Sequence, residues 1–409
     1  MARYRGPPMS GRDRYAAVLR TPHVRALVLA SMLARLPVGI EGLAVVLYMS
    51  QARGSFAVAG VVSGGFALGA AIGAPLQSRL IDRMGQRAVL VPAALGNAAA
   101  VGALIALTEL GAPAGVLAAI GVAGGVSTAN ISSAIRALWP EVLDGRDHLV
   151  PTAFALDSVA MELLFTLGPL ITAIVVALAS PAAALVLATV IGVAGTLIFV
   201  AQPPSRHWRP HPDAGSHGAL GALRSRGVRT LMLVTLPAGF GFGATEVALP
   251  AFAAEHGSAA LGGLLLAAWA AGSAAGGVFY GSRSWGSLQR TYLCLAALLP
   301  LGFLPAHAAP SVAAMAVLIL PAGMAIAPLI AAANQLAGQL APPGAVTEAY
   351  TWPITALIAG FSAGAAVGGA LIEAADWHAS LIAAFAAAGV GAVLAYARRR
   401  TLAASLAPV

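Results

Sequence analysis

Long apolar runs recur along the whole chain, and this repetition constrains the fold more than any other feature. A helix needs about 20 mostly apolar residues to cross roughly 30 Å of hydrocarbon. Runs suited to a crossing lie near 24–49, 55–77, 88–109, 113–138, 151–178, 181–201, 228–252, 258–280, 291–307, 311–337, 347–373 and 378–397, twelve spans in all. The breaks carry Pro, Gly or charge, as in "QARGS", "SRLIDRMGQR", "PEVLDGRDHLVP" and "APPGAV". Hydrophobic residues make up 59% of the chain and charged ones 9%, against roughly 25% charged in a soluble domain. No water-soluble architecture hides that much apolar surface. The alternating dyads of membrane-barrel strands are missing, which leaves helices as the spanning element. The chain reads as an all-α integral membrane protein.

Every one of the 23 basic residues is Arg. Without Lys there is no Walker A loop and no retinal Schiff base, so neither an ATPase nor a rhodopsin-type pump fits. The single Cys294 excludes an internal disulfide and a thiol-rich metal site. All eight His fall in loops or at span ends, so no metal site is expected, and "HWRPHPDAGSH" reads as linker. Residues 1–23 are polar and basic, and the first span reads as an uncleaved signal anchor. Arg placement predicts orientation. With the N-terminus inside, the cytoplasmic face holds Arg3, Arg5, Arg12, Arg14, Arg20, Arg25, Arg79, Arg83, Arg87, Arg136, Arg146, the five Arg between 206 and 229, Arg283, Arg290 and Arg398 to Arg400; Arg53 falls outside and Arg35 within the membrane. Both termini are then cytoplasmic.

The polar stretch 203–227 halves the chain. "VRALVL" at 24 recurs as "VRTLML" at 228, an offset of 204. Gly69 and Gly73 recur as Gly272 and Gly276 at an offset of 203, and Asn130 recurs as Asn334 at 204. Matches in order at an offset of 203 or 204 predict two homologous six-helix bundles, 24–202 and 228–397. They are flanked by a cytoplasmic segment 1–23, the linker 203–227 and a tail 398–409.

The loop "SRLIDRMGQR", between spans 2 and 3, resembles the signature of the major facilitator superfamily: a Gly, three residues, then D-R-x-G-R-R. Asp82, Arg83, Gly85 and Arg87 match; Ser78 stands for the first Gly and Gln86 for the first of the final basic pair. The resemblance covers the whole chain at the level of topology. It implies the fold of that family, two pseudo-symmetric six-helix bundles, and alternating access. It also implies that Asp82 latches the halves, facing Arg136 and the N-terminal end of the helix near Glu348, where a carboxylate is favoured. The other reading of the loop is a topogenic Arg cluster. In the second half, "GSRSWGSLQR" has Trp285 where Asp82 would align.

Gly65, Gly69 and Gly73 in span 2, and Gly360, Gly364 and Gly368 in span 11, are spaced by four. Such stripes let backbones approach closely. In the fold this resembles, spans 2 and 11 meet between the halves, so the stripes are expected to form a smooth rocking interface, with static packing as the alternative. "GPL" at Gly168–Pro169 partly matches a span 5 motif of antiporters in the superfamily.

An intramembrane ionisable group is a functional candidate by default. In the family's fold spans 1, 4, 7 and 10 line the central cavity, and Glu41, Asn130, Glu246 and Asn334 come one from each. Glu41 and Glu246 read as proton-titrating or cation-binding carboxylates, or as packing groups. Arg35 and Glu41 lie six residues apart, roughly 9 Å and 240° around a helix, so they form no pair on one face. Arg35 could bind an anionic substrate group or neutralise a carboxylate such as Glu162. Asp157, five residues before Glu162, reads as a partner of loop arginines.

The resemblance is to bacterial efflux permeases of the sugar-efflux and multidrug type. It implies a secondary transporter of the inner membrane, working most simply by proton-coupled efflux of a neutral or cationic amphipathic compound or a sugar. The alternatives are proton-coupled uptake or exchange of an organic anion through Arg35, and a membrane-embedded enzyme. The last would need a DxxxD or HxxxxD cluster at a membrane face, and none is present. The expected partners are a small-molecule substrate and the lipid bilayer, with no nucleic acid, no cofactor beyond a proton or other ion gradient, and a monomeric chain.

Overall fold

A computed structural model describes residues 10–54, 56–209, 218–256 and 261–403. Arg3, Arg5, His211 and His217 lie outside the described residues. Among the described residues, twelve helices are long and apolar enough to cross a membrane. In the first half they are Val24–Arg53, Val58–Met84, Gln86–Glu109, Ala114–Val142, Asp147–Leu178 and Pro181–Ala201. In the second half they are Arg226–Glu255, Gly262–Gly281, Leu288–Ala308, Val312–Leu340, Val346–Ala374 and Trp377–Ala397. They are numbered spans 1 to 12 below. Span 1 begins and span 12 ends on one face, which also carries the Arg-rich loops and is called the Arg-rich face.

Local signals set the span ends. Ser180, Ser225 and Asp376 accept backbone N–H bonds at the starts of spans 6, 7 and 12, satisfying donors the helix cannot. Gly85 sits at φ +90° between spans 2 and 3. A side chain is strained there, so this Gly of the loop motif allows the chain to reverse in one residue. Span 4 breaks after Val126 and resumes at Ile131, capped by Asn130.

The two halves repeat one packing plan. Span 1 packs on spans 6 and 5 as span 7 packs on spans 12 and 11, and span 2 packs on span 4 as span 8 packs on span 10. The glycine stripes belong to this plan, which corrects the expectation that they meet between the halves. A Cβ on Gly65 would come within 2.7 Å of the Ala118 carbonyl, and Cβ atoms on Gly69 and Gly73 would overlap Val122 and Val126 of span 4. Gly360 and Gly364 face Leu236 and Phe240 of span 7 in the same manner, and Gly368 meets Ser380 of span 12 and Ala244 of span 7. The stripes seat helices inside each bundle, because a Cβ there would force backbones apart. Gly168 meets Gly39 in a like contact between spans 5 and 1.

The largest cluster of buried apolar residues joins both halves, and its first-half members lie towards the Arg-rich face. A second cluster, from Ile40 to Ala188, stays within the first half towards the opposite face. A short leading helix, Gly11–Arg20, is closed by a Ser10–Asp13 capping box. It lies across the seam: Arg14 donates to the His148 carbonyl of the first half at 2.8 Å, and the Tyr15 hydroxyl to Gly277 O of the second at 3.2 Å. Burial pushes the Tyr15 phenol up to about 12, so it stays a donor at neutral pH.

Candidate functional site

Two buried polar networks and one recess organise the polar groups within the membrane. The first network lies inside the first half. Asp157 of span 5 accepts from Arg35 of span 1 at 2.7 Å and from Arg136 of span 4 at 2.8 Å, and all three residues are buried. Arg35 also donates to the carbonyl and hydroxyl of Ser31. Its guanidinium is thus held by its own half and does not pair with Glu162. Arg136 is likewise directed to Asp157 and not to Asp82.

The second network joins the halves at the Arg-rich end. Asp82 accepts from the backbone N–H groups of Thr347 and Glu348, at 3.1 and 3.0 Å, at the start of span 11. These are N–H groups the helix leaves unsatisfied, and its dipole favours an anion there. Arg79 donates to Glu348 at 2.8 Å, while Trp352 and the Ala222 amide also bond that carboxylate. One turn deeper, the Thr351 hydroxyl meets Ser78, Asn130 and Ser133. Asn130 therefore caps the broken span 4 and ties it to spans 2 and 11. Arg83 and Arg87 are exposed, whereas Gln86 is buried, donating to Ala134 O and accepting from Ser205.

Further hydrogen bonds cross the seam elsewhere. Thr152 donates to the Gly281 carbonyl at the Arg-rich end. Near mid-membrane Ser273 of span 8 donates to Glu162 of span 5 at 2.9 Å. Among the described residues, the side-chain hydrogen bonds between the halves run from the Arg-rich face to this Glu162–Ser273 pair and not beyond it. Glu246 is partly buried with no hydrogen bond or ion pair among the described residues. Asn334 is buried, and neither its Oδ1 nor its Nδ2 has a partner. Glu41 does not join them: it lines a recess between spans 1, 3, 4 and 6, within the first half.

Sequence reasoning missed Arg79, Ser133 and Thr351, which lie within this second network. One signal was available. Ser78 departs from the family motif's Gly, and its hydroxyl is the group that reaches Thr351.

The family description "Major Facilitator Superfamily" matches residues 27–255, more than half of the chain. The chain belongs to the major facilitator superfamily. It is a membrane transporter of that superfamily, and solved structures share its fold. The human organic anion transporter MFSD10 (TETRAN) is 20% identical at a TM-score of 0.63, with 97% of this chain and 100% of that one covered. A bacterial homologue of the iron transporter ferroportin, in an outward-facing state, is 15% identical at 0.70, covering 91% and 98%. The E. coli fucose:proton symporter FucP is 14% identical at 0.68, covering 93% and 99%. Comparison with curated proteins gave no sequence match.

Proposed function

We propose that this superfamily member is a secondary transporter that works by alternating access, exporting a neutral or cationic amphipathic compound or a sugar from a bacterial cytoplasm in exchange for protons. The Arg-rich face is taken as cytoplasmic, since Arg-rich loops are retained inside. The observation that carries the reading is the one-sided seam. Asp82, Arg79 and Thr351 close the halves at that face, while seam bonds stop at Glu162–Ser273. A seam bonded at one end suits one of two alternating states. The carboxylates Glu162 and Glu246 are the proposed proton carriers. Arg35 is held by Asp157 and Ser31, which leaves the organic-anion alternative without its cation.

Reconstitution into proteoliposomes with an entrapped pH dye tests this. Addition of a sugar or a cationic amphiphile is expected to move protons, and Glu162→Gln with Glu246→Gln to abolish the movement. Absence of proton movement with every solute class, or a response indifferent to both substitutions, overturns the coupling. Movement with organic anions alone overturns the substrate class.

A further inference from the structure

We infer that the recess between spans 1, 3, 4 and 6 is a binding site for a small monovalent cation, with Glu41 as its charged ligand. The recess lies inside the first half and is separate from the seam, so the inference does not depend on proton exchange.

The lining residues with polar side chains are Glu41, Asn97, Thr128, Thr189 and Thr196. Glu41 is 8% exposed and Thr196 1%. Glu41 Oε1 and Thr196 Oγ1 are both buried with no hydrogen-bond partner. A polar atom in that condition is costly, and a carboxylate in hydrocarbon more so. The nitrogen of Asn97 is directed to Gly124 O and Thr128 Oγ1 and also bonds the Glu41 carboxylate, which leaves Glu41 Oε1 and Thr196 Oγ1 as the groups still in need of a partner. The set is therefore all oxygen, the preference of hard cations.

Charge and size choose the ion. Glu41 is the one charged residue among those lining the recess. Arg35, on the same helix, is bound to Asp157 instead. One carboxylate neutralises one monovalent charge; a divalent ion would leave a net buried charge, which is costly. The cavity is about 20 Å³, room for one water-sized occupant and not for an organic solute. A proton on Glu41 would serve one orphaned oxygen, whereas a cation between the ligands serves Glu41 and Thr196 together.

The test uses purified full-length protein in detergent, with sodium chloride compared against choline chloride at equal ionic strength. Sodium is expected to raise the unfolding temperature saturably, and radiolabelled sodium to bind and be displaced by unlabelled sodium. Glu41→Gln and Thr196→Val are each expected to remove both effects. If Glu41→Gln does not yield folded protein, Thr196→Val decides, since it keeps the charge and loses one ligand. Equal unfolding temperatures in the two salts with no bound label overturn the site, as does a sodium response surviving Thr196→Val unchanged. A pH-dependent stability with no sodium effect assigns the recess to a proton and also overturns it. None of these readouts requires flux, so their failure is distinct from failure of the transport reading.

Discussion

Asp157 holds two guanidinium groups, so removing it does more harm than removing either partner. Asp157→Ala strands Arg35 and Arg136 in a dry interior, and loss of one member of a buried pair typically costs about 3–5 kcal/mol. Arg35→Met leaves the Asp157–Arg136 pair intact and fills the space with an apolar chain of similar length. Thermal unfolding in detergent is expected to rank Asp157→Ala well below Arg35→Met, with Arg35→Met still transporting; a transport-dead but stable Arg35→Met would return Arg35 to a substrate role. The presence of charges in the membrane was legible from the sequence, because an Arg in an apolar run stands out. Their partners were not. Asp157 lies 122 residues from Arg35, and helix phase says which residues share a face but not what that face meets.

At the scale of the helix, glycine spacing was readable and its orientation was not. Every-fourth glycines announce close packing in either bundle or seam, and the backbone contacts decide for the bundle. Gly69→Ala and Gly360→Ala are therefore expected to lower stability by about 1–3 kcal/mol through overpacking. Gly102 of span 3 has open space where a Cβ would be, so Gly102→Ala serves as control and is expected to be neutral or slightly stabilising. Unfolding temperatures compare the three; unchanged stability with slowed transport for Gly69→Ala would put the stripe back at a moving surface. Span count and halves were legible because hydrocarbon thickness sets helix length, and an offset near 204 marked the duplication. The break in span 4 was not, since "GGVSTAN" contains no Pro and stays apolar enough to read as one helix.

Across the whole molecule, the proposed alternating access gives the Asp82 contact with the start of span 11 the role of biasing which end of the seam is closed. A carboxylate at a partly buried helix start contributes up to about 2 kcal/mol, and one to two such units shift a two-state ratio by about five- to thirtyfold. Asp82→Asn keeps one acceptor but turns an N–H pair towards the second backbone amide. Val159 packs on Gly277 across the seam and offers a reporter: in a Cys294→Ser background, a cysteine at position 159 is expected to react several-fold faster with maleimide once Asp82→Asn is added. An unchanged labelling rate would mean that the contact does not bias the seam. The motif itself was legible, whereas Thr351 and its hydroxyl partners were not, because small polar residues in apolar helices carry no distinguishing pattern.

The leading helix adds an asymmetry that the duplicated halves lack. Gly11–Arg20 grips the first half through Arg14 and the second through Tyr15. On the proposed alternating access, opening at that face would first have to detach one of these two grips. A bulky fusion placed at the N-terminus, or anything that captures Tyr15, is then expected to change how readily that end of the seam opens.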